Sequence, residues 1–103
     1  MLVFQTLHAA ENWRNNRAIC VRNLHEGACE LYLKLICSPH GPIESIKIYQ
    51  GSSGPFGIVT YCNEDEDYYS GADCALNAIE KLHGATEVSG IPLPKTLFVT
   101  LAH

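Results

Sequence analysis

Two periodicities alternate along residues 18–101, and the order in which they do so constrains the fold more than any single residue. Residues 18–22 set Ile19 and Val21 against Cys20 and Arg22, the period of two of a half-buried strand. After the loop Asn23 to Gly27, residues 28–37 form a predicted helix, which Ser38, Pro39 and Gly41 end. Residues 43–49 alternate Ile46 and Ile48 with Ser45, Lys47 and Tyr49. A Gly/Ser turn at 50–54 leads into a third strand over 56–62. Ala75, Ala78, Ile79 and Leu82 share one face of a second helix over 72–82, with Gly84 beyond its end as a C-cap. Residues 85–94, with Gly90, Pro92 and Pro94, read as a loop or short hairpin, and 96–101 as a last strand.

The order β-α-β-β-α-β is the split βαβ, ferredoxin-like arrangement of the α+β class. It predicts a four-stranded antiparallel sheet with two helices on one face and the other face open. A chain of 103 residues suits one such core. Residues 17–103 form the expected domain, and residues 1–16 an N-terminal extension. In that extension Val3, Phe4, Leu7, Ala10 and Trp13 suit a short amphipathic helix or an extended arm.

Composition narrows the function. With 47% hydrophobic residues the chain can fill a core, which argues against whole-chain disorder. A net charge of −4 excludes a uniformly basic surface that grips phosphates without selection. No apolar run approaches the ~20 residues of a membrane span, and no Lys or Arg precedes Arg14 to flank a secretory signal. Five cysteines without paired spacing suit a reducing, intracellular setting, cytoplasmic or nuclear.

The segment Ile19-Cys20-Val21-Arg22-Asn23-Leu24 resembles the first-strand signature of the RNA-recognition motif (RRM) family. Gly54-Pro55-Phe56-Gly57-Ile58-Val59-Thr60-Tyr61 resembles its third-strand signature. The turn His40-Gly41-Pro42-Ile43 and the helix positions Ala75, Ala78, Ile79 and Leu82 fit the same family, so the resemblance runs from Arg17 to the end. It implies an open sheet face on which unpaired bases stack. Alternation places Cys20, Arg22, Ser45, Lys47, Tyr49, Phe56, Ile58, Thr60, Thr96, Phe98 and Thr100 on that face. It turns Ile19, Val21, Ile46, Ile48, Val59, Tyr61, Leu97, Val99 and Leu101 toward the helices.

The chain departs from the pattern at its chemistry. Cys20 stands at the first-strand stacking position and Ile58 at one of the two third-strand positions, leaving Phe56 as the conventional ring. Gly54 stands where a basic residue opens the third-strand signature, and Pro55 where a glycine is expected. Two lost stacking platforms forfeit about 2–6 kcal/mol, which moves micromolar binding toward millimolar. The expectation is a degenerate member that binds single-stranded RNA weakly, with Arg22, Lys47, Tyr49, Phe56, Ile58, Cys20 and Phe98 as candidate contacts.

Other features point to a protein partner. The acidic insert Asn63 to Gly71 lengthens the link between third strand and second helix. It sets Tyr68 and Tyr69 beside four consecutive acids, either a solvated loop or a docking element for a basic partner. Leu31 and Leu35 fall four apart, off the core stripe of the first helix. With Phe4, Leu7 and Trp13 they are candidates for an interaction or homodimer surface, so a protein-interaction module is the alternative reading. The loop before the last strand lacks the Arg-x-Phe of one protein-binding RRM subfamily.

Catalytic, metal and cofactor motifs are missing from the sequence. Cys37 and His40 stand three apart without a second pair at ligand spacing, which is more economically a buried cysteine and a turn histidine. The reading is a non-enzymatic, cofactor-free module of a larger protein of RNA metabolism, with RNA and a protein, not a membrane, as partners.

Overall fold

The computed structural model describes residues 17–63, 70–88 and 90–102. The extension with Phe4, Leu7 and Trp13, and the insert tyrosines Tyr68 and Tyr69, lie outside the described residues.

The elements follow the expected order. They are β1 (Ala18–Arg22), α1 (Glu30–Cys37), a single 3-10 turn (Ser38–His40), β2 (Ile43–Gly51), β3 (Gly54–Tyr61), α2 (Ser70–Leu82), the short pair β4 (Glu87–Val88) and β5 (Ile91–Pro92), and β6 (Phe98–Leu101). The main sheet runs β2-β3-β1-β6 with antiparallel neighbours, and β4-β5 forms a separate hairpin. The α+β, ferredoxin-like expectation therefore holds.

The differences at the element ends have local causes. β2 and β3 reach further into their turn than alternation suggests, because pairing continues through Tyr49↔Phe56 and Gln50↔Pro55 to Gly51↔Gly54. Ser52 and Ser53 then close the hairpin, and Gly54 accepts a positive φ of 113°. Helix α1 starts at Glu30 instead of residue 28, since Cys29 is extended (φ −125°, ψ 173°) and Ala28 N–H closes the preceding turn onto the His25 carbonyl. Helix α2 starts at Ser70, two residues early, because Asn63 Oδ1 accepts the Gly71 N–H at 2.9 Å and secures one of the donors that a helix start leaves open. Residues 96 and 97 fall outside β6: the Thr96 carbonyl accepts from Asn23 and the Leu97 N–H donates to Ala85.

Leu33, Ile36 and Cys37 of α1 and Ala75, Ala78 and Leu82 of α2 pack on Ile19, Val21, Val59, Tyr61, Leu97 and Val99 of the sheet side. Small residues set the spacing. A Cβ at Gly57 would run into Leu33 Cδ1, so a glycine in mid-strand is what lets α1 sit this close to β3. Tyr61 is fully buried, and its hydroxyl donates to the Cys37 carbonyl at 2.8 Å, tying β3 to the last turn of α1. The open side of β6 is not left bare either: Val99 N–H donates to His83 Nδ1 at 2.9 Å, closing part of an edge that would otherwise invite another strand.

Candidate nucleic-acid interface

The register converts alternation into rows across the exposed face of the sheet. One row is Lys47–Ile58–Cys20–Thr100, from β2 through β3 and β1 to β6. In the next, Tyr49 pairs with Phe56 and Arg22 pairs with Phe98. Since Val21 pairs with Gly57, one further step sets Arg22 beside Phe56. Six of the seven residues named as RNA contacts are thus accessible on one surface.

The aromatic content of that surface lies mainly in the second row. The Tyr49 and Phe56 rings stack with centroids 5.4 Å apart and planes 24° off parallel. Tyr49 is 45% exposed and Phe98 48%, while Phe56 is half-buried beneath its neighbour. Grouped on one face with Phe56, these half-exposed rings form an apolar patch of the kind that binding surfaces use. Arg22 and Lys47 project from the same rows, which carry no carboxylate among the described residues. The face is therefore locally cationic in a chain of net charge −4. Asn23, in the left-handed region at φ 64°, donates to the Thr96 carbonyl at 2.7 Å and fixes the end of β1 beneath Arg22.

Cys20 requires a correction. It points to the open side, yet it is only 4% exposed. The cause is Arg22, two residues along the same face, whose Nε donates to Cys20 Sγ at 3.4 Å. The thiol therefore offers little accessible surface of its own, at one wall of an adjoining hollow. Two hollows flank Arg22. One, of about 220 Å³, opens toward Ser52 and Ser53 of the β2–β3 turn. The other, of about 340 Å³, lies over Cys20 and Ile58 toward Thr100 and Leu101.

A different surface occupies the back of the molecule. Leu31 and Leu35 on α1 are 63% and 64% exposed, and Ile91 at the tip of the β4-β5 hairpin is 68% exposed. A groove of about 250 Å³ runs between helix and hairpin, with Tyr32, Leu35 and Ile36 on one wall and Val88, Ile91 and Leu93 on the other. The contribution of the hairpin was invisible to periodicity, since residues 85–94 carry no repeat. The only signal was the apolar cluster Ile91-Pro92-Leu93-Pro94.

The buried titratable groups serve structure. Burial pushes the Cys37 thiol up to about 12, only partly offset by its hydrogen bond with Tyr61, so it stays protonated at neutral pH and is a poor metal ligand or nucleophile. Burial, the neighbouring Cys37 and their hydrogen bond also raise Tyr61. Burial lowers His40, helped by the positive charge of Lys81. Among the described residues no group of three or more His, Cys, Asp or Glu side chains is placed to hold a metal ion. Nor is any helix among them long and apolar enough to cross a membrane.

An open antiparallel sheet that presents stacked rings and two cations, backed by two helices, defines the class of small domains that lay single-stranded nucleic acid across a β-surface. The family model described as RNA recognition motif matches residues 19–93, and the chain belongs to that family of RNA-binding domains. Solved structures agree on the fold. RRM3 of Pes4 is 24% identical, with a TM-score of 0.64 over 84% of this chain and 92% of that one. The RRM domain of S. pombe Puf1 is 21% identical, with a TM-score of 0.58 over 84% and 97%. A protein described as RNA binding protein PG1 is 28% identical, with a TM-score of 0.56 over 82% and 92%. No curated protein matches the chain.

Proposed function

We propose that residues 17–103 form a single-stranded RNA-binding module whose contact surface has moved toward the β2–β3 turn. The observation that carries this reading is the stacked pair Tyr49–Phe56, half-exposed between the cations Lys47 and Arg22. Bases stack on Tyr49, Phe56 and Phe98, Ile58 supplies apolar packing, and Arg22 and Lys47 meet the phosphates. With Cys20 and Ile58 in place of two rings the affinity is modest, and neighbouring modules of an intracellular protein of RNA metabolism raise it. Amide-shift titration with short single-stranded RNA pools at low salt tests this. Shifts clustered on Arg22, Lys47, Tyr49 and Phe56, weakened by Phe56→Ala, are the expected outcome. No shifts at millimolar RNA would rule out recognition by the sheet.

A second reading rests on the groove between α1 and the β4-β5 hairpin. Exposed Leu35 and Ile91 in its walls, with exposed Leu31 on the same helix outside it, suit an apolar segment of a protein partner or a second copy of the chain. Sedimentation of the wild type and of Leu35→Glu separates self-association from binding to another protein.

A further inference from the structure

The family fills the second position of its first strand with a ring, and this chain puts Cys20 there. The thiol of Cys20 is partly covered all the same, beside an open hollow toward Ile58 and Thr100. Arg22 projects from the same face two residues on, a separation of about 7 Å along a strand, which its long side chain spans. Its Nε–H meets Cys20 Sγ at 3.4 Å, so one edge of the guanidinium turns toward the sheet. The guanidinium is planar and its N–H bonds lie in that plane, so a hydrogen bond through an edge leaves the two faces uncommitted. Among the described residues no carboxylate pairs with Arg22 to draw the group away. The hollows on either side of it both include Phe56 in their walls.

We infer that the Arg22 guanidinium is the missing first-strand platform: a nucleobase enters the hollow over Cys20 and Ile58 and stacks on the face of Arg22, next to Phe56. Guanidinium planes are established surfaces for unpaired bases, and this one carries the charge that Gly54 fails to supply at the third strand. Cysteine then suits position 20 because it is small. An aromatic residue there would fill the space that the folded-back arginine uses, and the weakly polar sulfur gives the Nε–H an acceptor. This inference rests on the RNA reading of the sheet and assigns a specific role within it.

The test must separate a stacking plane from a charge. Arg22→Lys keeps the charge and loses the plane, and Arg22→Ala loses both. Each variant of the full chain, together with Phe56→Ala and the wild type, is titrated with a fluorescein-labelled ten-nucleotide single-stranded RNA of random sequence at several salt concentrations. Amide spectra confirm that each variant is folded. The expected result is that Arg22→Lys weakens binding about fivefold or more, the scale of one lost base stack, while the salt dependence stays as in the wild type because the number of charges is unchanged. In the wild type the Arg22 Nε–H resonance moves upfield as RNA is added, under the ring current of a stacked base.

Wild-type affinity in Arg22→Lys, with loss only in Arg22→Ala, would show that Arg22 acts through charge alone and would overturn the inference. If Phe56→Ala still weakened binding in that case, the RNA reading itself would stand. Absence of RNA binding by the wild type, or binding that neither Phe56→Ala nor the Arg22 variants alter, would overturn both.

Discussion

On the inner face of the sheet Val21, Val59 and Tyr61 have no exposed surface, whereas on the outer face Tyr49 and Phe98 keep 45% and 48% of theirs. Both sets come from the same antiparallel strands. The inner ring, Tyr61, is enclosed by the core and anchored through its hydroxyl to the Cys37 carbonyl. The outer rings are held chiefly by each other, as in the Tyr49–Phe56 stack, or by a tilted ring contact such as His83 with Phe98, whose ring centroids lie 6.1 Å apart. A face whose groups are all satisfied internally supplies stability. One whose large apolar groups remain half-satisfied keeps surface for a ligand, at some cost in solubility. The same alternation that builds the core thus leaves the other side open for the RNA contact proposed above.

The strongest way to break the comparison is to cut the inner face. Leu33 is fully buried and its Cδ1 sits against Gly57 of β3. Leu33→Ala is expected to lower stability by about 2–5 kcal/mol, the usual cost of truncating a core leucine. Urea unfolding followed by circular dichroism reads this directly. The fraction that remains folded should bind RNA as the wild type does, because no outer residue has moved. A large loss of RNA affinity in that folded fraction would show that the two faces are coupled.

Next in size is the outer pair. Tyr49→Ala and Phe56→Ala are each expected to weaken RNA binding by about 1–3 kcal/mol per lost base contact, with little change in the urea midpoint. Because each ring holds the other in place for a base, a double-mutant cycle on RNA affinity should return a coupling of about 0.5 kcal/mol or more. Additive effects would mean that the two rings take separate bases and that their mutual contact contributes nothing.

These faces were largely legible in the sequence, and for one reason. A period of two in a strand leaves no freedom about which side a residue occupies, so Tyr61 inward and Tyr49, Phe56 and Phe98 outward follow from position alone. What could not be read was which outward residues are accessible. Cys20 faces outward and is covered, because a side chain two positions away folds onto it, and alternation is silent about side-chain direction along the strand. The groove behind α1 was hidden for a related reason: half of it belongs to a hairpin of two-residue strands, too short for any period to register.

The inner face also has a signature in pH. A thiol whose folded pKa is raised from 9.0 to about 12 remains protonated in the native state while the unfolded chain releases its proton. Above about pH 9 the unfolded state therefore binds fewer protons than the native one, and stability falls as pH rises. Tyr61, raised by burial, adds to the same alkaline limb starting about one unit later. His40 acts at the other end: its lowered pKa means that the unfolded state takes up a proton first as pH drops below 6.5, so stability declines modestly there. The expected profile is a plateau between about pH 7 and 8.5 with the steeper loss on the alkaline side. Cys37→Ala should flatten that side, although its midpoint in urea at pH 7 will be lower. An alkaline slope unchanged in Cys37→Ala would assign it to the tyrosines instead.

The smallest effect is expected at the margin between the faces, where β2 is irregular. The register slips between Ile43 and Ser45, leaving Glu44 as the extra residue of a bulge. Its carboxylate meets Arg17 Nη1 at 3.0 Å, with the two side chains 51% and 33% exposed. An ion pair that open to solvent contributes between about 0 and 1 kcal/mol and less in salt. Arg17 does more than pair, however. The same Nη1 donates to the Tyr61 carbonyl at 3.1 Å, and the aliphatic part of the side chain lies close to Gly71 at the start of α2. Removing the charge of Glu44 and removing Arg17 are therefore different experiments. Glu44→Gln should shift the urea midpoint slightly at low salt and not at all in high salt. Arg17→Ala should cost more, with a salt-independent remainder from the lost carbonyl bond and packing. Equal, fully salt-sensitive losses in the two variants would reduce Arg17 to a surface charge and leave the inner face without its seal at this end.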